Sequence, residues 1–299
     1  MITRIGSFAH SSALIAAGLR TQAKMADQQT QESTSLKSTT FGGLGGDAAS
    51  LLRLSGQSSR LTADNAAANV AASYVQSAYS AVGGVANLAT TVKSQLAAQI
   101  SGANLDSASL ATYAQGWLDD LQTQLNSQVG GVYLFGGEAT DQAPVDFSAA
   151  SYDPTTAGNT GYYQGAATGR TFTSVDGTKI PLSVTAQSKG FEELARALSS
   201  IIANPGDSTT LSSAFDLVGA AVTDIGASQE ALGVQASQLS SLISQNGTKI
   251  DTLDDLTSKL KGADLAQAAV LVTNYQTQLQ ALYSTISTLS SVSLLQYLK

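Results

Sequence analysis

All four prolines of the chain, Pro144, Pro154, Pro181 and Pro205, fall inside one central window. The first 143 residues and the last 94 are therefore free of the residue that breaks helix interiors. Alanine and glutamine, both good helix formers, dominate these two flanks. The order that follows is helix, then irregular or strand, then helix.

Apolar spacing supports that order. Near the C-terminus Leu265, Ala268, Val272, Tyr275, Leu279, Leu282, Ile286 and Leu289 recur at alternating steps of four and three, a heptad seam sustained over more than three repeats. Asp264 precedes the seam as an N-cap, with Gln267 in capping-box position. The stretch 265–298 holds 34 residues without a charge, and as one helix it would be a rod of roughly 50 Å. In the first half Tyr74, Ala78, Ala81, Val85, Leu88 and Val92 repeat in the same way, inside a second charge-free run, 65–92. Ala114, Leu118, Leu121 and Leu125 continue the pattern after a break around Gly102. Ile2, Ile5, Phe8, Ile15 and Leu19 mark a weaker stripe at the N-terminus.

The centre differs. Residues 131–137, Gly-Val-Tyr-Leu-Phe-Gly-Gly, read as a short aromatic strand bracketed by glycines. Strands over 171–175 and 178–184 flank Asp176-Gly177, a strong hairpin signal, and Pro181 puts the second strand at an edge or a bulge. Helical patterning resumes at Phe191, stops before Asn204-Pro205, and restarts after Asp207-Ser208. It runs to about Gln245, where Asn246-Gly247 predicts a break. Gly42-Gly43-Leu44-Gly45-Gly46 reads as a connector; a phosphate loop would need a Lys-Ser/Thr pair after it. The fold class expected is mainly α, with long terminal helices, a helical bundle and a small central β module.

Composition narrows the function. Only 12% of residues are charged where about a quarter is usual, while Ser, Thr, Asn and Gln number 102 of 299. The net charge of −7 offers no basic footprint for nucleic acid. With no cysteine there are no disulfides or thiolate zinc sites, and one histidine cannot build a multi-histidine site. No metal or cofactor is expected.

Catalytic constellations are also missing from the sequence. His10 stands alone on the weak stripe, and no Walker, His-Glu-x-x-His or dinucleotide fingerprint appears. Asp119-Asp120, Glu192-Glu193 and Asp254-Asp255 are neighbours that diverge around a helix and read as solvated charges, and Asp255 and Lys259 as an exposed i,i+4 pair. Tyr113 and Trp117, one turn apart, read as core aromatics, and Tyr133, Tyr152, Tyr162 and Tyr163 as strand packing. Asn246-Gly247-Thr248 matches a glycosylation triplet but reads as structural. The chain is not expected to be an enzyme.

The segment Ala13–Leu19 has no convincing cleavage site after it, so no cleaved signal peptide is expected, and no apolar run reaches the length of a membrane span. An uncharged apolar seam left open on a monomer would aggregate, so it needs a protein partner. Abundant Gln, Ser and Thr suit close packing of identical copies, their side chains bonding one another without the desolvation cost of buried ions. These features argue for a self-assembling structural subunit whose terminal helices polymerise and whose middle projects.

The C-terminal residues carry a family resemblance. Asp264-Leu265-Ala266-Gln267-Ala268, through Tyr275–Ala281, to Ser293-Leu294-Leu295-Gln296-Tyr297-Leu298 resembles the C-terminal helix of bacterial flagellins and hook-associated proteins. The closing Ser-Leu-Leu-x-Tyr-Leu is most similar to the hook–filament junction member. Val132–Gly137 resembles the strand after the first long helices of that family, and Thr30–Leu54 loosely resembles its N-terminal connector, without the paired aspartates and arginine surroundings of major flagellins.

The resemblance implies an inner coiled-coil domain from residues 1–41 and 263–299, a helical rod domain from 42–137 and 191–262, and a β-rich outer domain over 138–190. It implies assembly through Ile2, Ile5, Phe8, Ile15, Leu19, Leu265, Val272, Tyr275, Leu279, Leu282, Ile286, Leu289, Leu295 and Leu298. It also implies contacts with neighbouring flagellar axial proteins, type III export without a cleaved signal, an export chaperone on the C-terminal segment, and an extracellular place in the flagellum. A filament flagellin shares these features. From another class, the alternative is a secreted type III effector or translocator with coiled-coil ends, which predicts host or membrane interaction and no polymer.

Overall fold

The structure, a computed structural model, describes residues 2–102 and 106–295, with side chains described between 9 and 289. Among the described residues there are six α-helices: α1 (Ile2–Thr34), α2 (Asp47–Ile100), α3 (Ser107–Leu125), α4 (Lys189–Ala203), α5 (Ser208–Lys261) and α6 (Leu265–Leu295). Four short strands, β1 (Gln128–Val129), β2 (Val132–Tyr133), β3 (Thr171–Thr173) and β4 (Lys179–Pro181), form two antiparallel pairs. The molecule is mainly helical with a small β module, as the proline distribution requires. The chain divides into two units, 1–59 with 250–299, and 60–249, the divisions falling within α2 and α5.

In the first unit α1 packs along α6. The segments joining them to the rest of the chain meet in an antiparallel bridge, Leu36 opposite Gly262. Lys37 N donates to Lys261 O at 2.8 Å and Ala263 N to Ser35 O at 3.0 Å. Because α1 enters this bridge and α6 leaves it, the two helices run antiparallel. Asp264 caps α6 as expected, its Oδ1 accepting from Gln267 N at 3.0 Å. The glycine-rich connector forms a short 3₁₀ turn, Phe41–Leu44, and Lys37 pairs with Asp47 at the start of α2 across 3.2 Å.

In the second unit α2 and α5 are antiparallel neighbours. Asn246 meets Asp64, and Tyr79 lies beside Gly233. Gly83 faces Gln229 and Lys93 faces Gly219, so one helix advances as the other retreats. Ten buried residues of α2, Asp64, Ala68, Ala71, Val75, Ala78, Val82, Val85, Ala89, Val92 and Leu96, keep a heptad step, with Tyr74 and Leu88 buried beside it. Those of α5 fall on the same rhythm: Ala214, Val218, Ala221, Ile225, Leu232, Leu239, Leu242 and Asn246.

Asn246-Gly247 is not a break. Helix α5 runs through it because Asn246 is a buried seam residue whose amide donates to Asp64 at 2.9 Å. Tertiary contact here overrides the turn preference of the dipeptide.

Helix α3 is capped by Asp106, which accepts from Ser109 N at 2.8 Å, and packs on α4. The aromatic strand is shorter than expected: β2 spans two residues and pairs with β1 across Gly130-Gly131. Both glycines have positive φ, 60° and 80°, the requirement of a two-residue hairpin turn whose twist matches the strands. Leu134 and Phe135 then turn into the core, where Phe135 meets Phe191 of α4 edge-on at 5.9 Å. The second hairpin is present with shorter strands than expected. It pairs Phe172 with Ile180, one residue off the register that a two-residue Asp176-Gly177 turn would set, because it closes over Ser174–Thr178 with Gly177 at φ 87°. Pro181 ends β4.

Segment 138–170 is held by side-chain clamps and aromatic packing more than by strand ladders. Asn126, just after α3, receives Val145 N on its Oδ1 and donates to Val145 O, both at 2.9 Å. Tyr162 is fully buried between Phe147 and Tyr152 and donates to Ala186 O at 3.0 Å.

Candidate assembly surface

The chemistry-bearing groups come first. His10 is exposed on α1. Glu192 and Glu193 are buried, which corrects their reading as solvated charges. Glu192 accepts from Arg196 Nε at 2.7 Å and from Gly158 N at 3.1 Å, and Glu193 pairs with Lys189 at 3.3 Å. Glu192 thereby ties the start of α4 to the loop before it, while Glu193 is held within α4 by Lys189, which also pairs with Asp224 of α5 at 2.8 Å. Asp255–Lys259 is the expected exposed pair, at 2.6 Å. Tyr113 is 53% exposed and stacks on half-buried Trp117, so it is not a core aromatic; Leu110, Ala114 and Leu118 take the inward positions. Among the described residues no group of three or more His, Asp or Glu converges to hold a metal, and no helix is long and apolar enough to cross a membrane.

The terminal helices carry the surface of interest. On α6, Ala268, Val272 and Leu279 are buried, and Tyr275, Leu282, Ile286 and Leu289 are half-buried. The heptad seam is thus covered within the chain, by α1. On α1 the covered positions are Leu14, Gly18, Thr21, Met25 and Gln28, again stepping by four and three. Ile15 and Leu19 lie one residue off this seam and are 50% and 63% exposed. The apolar pair therefore does not mark the α6-facing side of α1; that side is built from small and polar residues as well as apolar ones. Leu265 is exposed at the start of α6. The side chains of Ile2, Ile5, Phe8 and Leu295, and residue Leu298, lie outside the described residues.

Two residues that periodicity missed stand out. Val270 and Tyr283 on α6 are 60% and 56% exposed, Val270 on the side opposite the seam that meets α1 and Tyr283 on its flank. Their signal was the absence of charge over 265–298, which leaves α6 with no charged face to turn to water. Threonine hydroxyls around α6 are muted too. Thr273, Thr277, Thr285 and Thr288 each donate to the carbonyl four residues earlier, at 2.8–3.1 Å. Serines and threonines of α2 do the same, as in Ser73 to Asn69 and Thr90 to Ala86. Within the chain these hydroxyls close on their own helix.

The described residues thus hold a long pair of helices, of which α6 carries no charge and α1 keeps Arg20, Lys24, Asp27 and Glu32 exposed, and a helical unit with a small β module. Residues 215–298 match the family model of the bacterial flagellin C-terminal helical region. The C-terminal part of the chain is thus similar to that of flagellins, in line with the resemblance over 264–298. The fold is similar to a solved structure assigned to a flagellar hook-associated protein from Vibrio parahaemolyticus, at 13% identity and a TM-score of 0.59, covering 71% of this chain and 96% of that one. A structure of Bacillus cereus FlgL matches at 12% identity and a TM-score of 0.47, covering 72% of this chain and 98% of that one. No curated protein matches the sequence.

Proposed function

We propose that this chain is an axial structural subunit of the bacterial flagellum, placed at the hook–filament junction, that self-assembles through its terminal helices. The observation that carries the reading is α6 itself: α1 covers its seam, yet Val270 and Tyr283 stay exposed on a helix with no charged face. Ile15, Leu19 and Leu265 extend the uncovered apolar area on the same helix pair. The flagellin-type match over 215–298 supports the flagellar setting, and the closing Ser293–Leu298 sequence supports the junction. In this reading 1–41 and 263–299 form the inner domain, 42–137 and 191–262 the rod, and 138–190 the outer domain. Export through the flagellar type III apparatus, with a chaperone covering the C-terminal segment until assembly, gives the uncovered apolar face protection before it meets its neighbours. The subunit then resides outside the cell.

Deleting residues 265–299 tests the proposal. The expected result is loss of assembly with a largely folded remainder, and unchanged assembly would overturn it. The flagellin-type match also favours a second reading as a filament flagellin. Immunogold labelling separates the two: a few copies at one ring support the junction, and labelling along the whole filament contradicts it.

A further inference from the structure

Asp64 breaks an otherwise apolar heptad seam on α2, and it is 9% exposed. A buried carboxylate is costly unless donors surround it. Here Ser174 Oγ donates to it at 2.6 Å, Val175 N at 3.0 Å and Asn246 Nδ2 at 2.9 Å. Two of these donors belong to the turn of the β3–β4 hairpin, and the third to α5. One side chain of α2 therefore holds two further elements, whose donors lie 110 and 182 residues along the chain from it. The turn is shaped for this: Ser174 N donates to Thr178 O and Gly177 N to Ser174 O, both at 2.9 Å, which leaves Val175 N free to turn towards Asp64.

The hairpin so held forms a wall. Asp176, Thr178 and Ile180 line one side of a groove of about 1030 Å³, and Gly226, Gly233 and Ser237 of α5 line its floor. With only two strands, β3–β4 is marginal alone and needs an anchor to keep that position.

We propose that Asp64 is a latch: it fastens the hairpin turn to the α2–α5 pair and so fixes the wall of this groove. Asn246 fills the face of the carboxylate that the hairpin leaves open. The role is specificity of position, for which a buried polar layer is a poorer stabiliser than an apolar one but a better guide.

Hydrogen exchange on the full chain tests the latch. In Asp64→Ala, the amides of residues 175–178 should exchange at least about tenfold faster, the order expected for a lost hydrogen bond to a charged group. Those of α3 should be unchanged. Ser174→Ala removes a single hydroxyl and should raise the same amides several-fold; it decides the matter if Asp64→Ala fails to fold. The double variant Asp64→Leu with Asn246→Leu should keep or raise the melting temperature while the turn still exchanges fast. Unchanged exchange of 175–178 in a folded variant overturns the proposal. So does a rise spread equally over α3 and α4, because that reports global destabilisation.

Discussion

At the scale of single residues, the molecule manages polar groups in two ways. Hydroxyls on the helices fold back onto carbonyls one turn earlier, and charges that enter the interior are held by specific donors, as Glu192 is by Arg196 and Gly158. The phenols are the exception with a measurable consequence. Burial raises Tyr74, Tyr152 and Tyr162 above the ordinary 10.0 and pushes Tyr163 up to about 12. The folded chain then holds these protons more tightly than the unfolded one. Their contribution to stability is intact below pH 10.0 and is lost as pH rises towards and through about 12. Tyrosinate absorbance of these four should therefore rise together with the loss of tertiary structure in that window; ionisation near the ordinary value with the fold kept would contradict it. Tyr162→Phe should cost about 1 kcal/mol at neutral pH, since it leaves the buried Ala186 carbonyl without its donor, and a denaturant midpoint measures this.

At the scale of elements, the sequence was most legible where burial follows apolar type. The seams of α3 and α6 could be read directly, because a heptad of Ala, Val and Leu on a proline-free stretch has few other solutions. That of α2 was read in part, Ala78, Val85 and Val92 lying on it while Val75 and Val82 take the places expected of Tyr74 and Ala81. The covered side of α1 could not. Gly18, Thr21 and Gln28 lie on it, while Ile15 and Leu19 face outward. Asn246-Gly247 misled for the same reason: its meaning depends on Asp64, 182 residues away. Glu192 and Glu193 looked solvated because nothing local announces the loop that covers them. Helix α5 gives a test. Gly247 has open space where a Cβ would sit, so Gly247→Ala should stabilise the chain by about 0.5–1 kcal/mol. Thermal unfolding would show this, and destabilisation would mean that the helix is interrupted there. Val272→Asp should do the opposite in α6: a charge on the face covered by α1 should cost about 3 kcal/mol and lower helicity.

At the scale of the whole molecule, low charge has two distinct meanings. Over 65–92 it marks a helix whose seam is filled inside its own unit, by residues such as Val75, Val82 and Val85. Over 265–298 the seam is likewise filled, but the absence of charge extends to residues left uncovered. The candidate assembly surface is therefore only partly the heptad; its outward part is the face that the heptad does not use. The two faces of α6 should separate in a single comparison. In the full-length chain carrying Val270→Asp and Tyr283→Asp, both exposed positions, the monomer should keep wild-type helicity and melting temperature while assembly, followed by sedimentation, is lost. Assembly at the wild-type level by that folded double variant would contradict the central claim that α6 joins neighbouring subunits through its uncovered face.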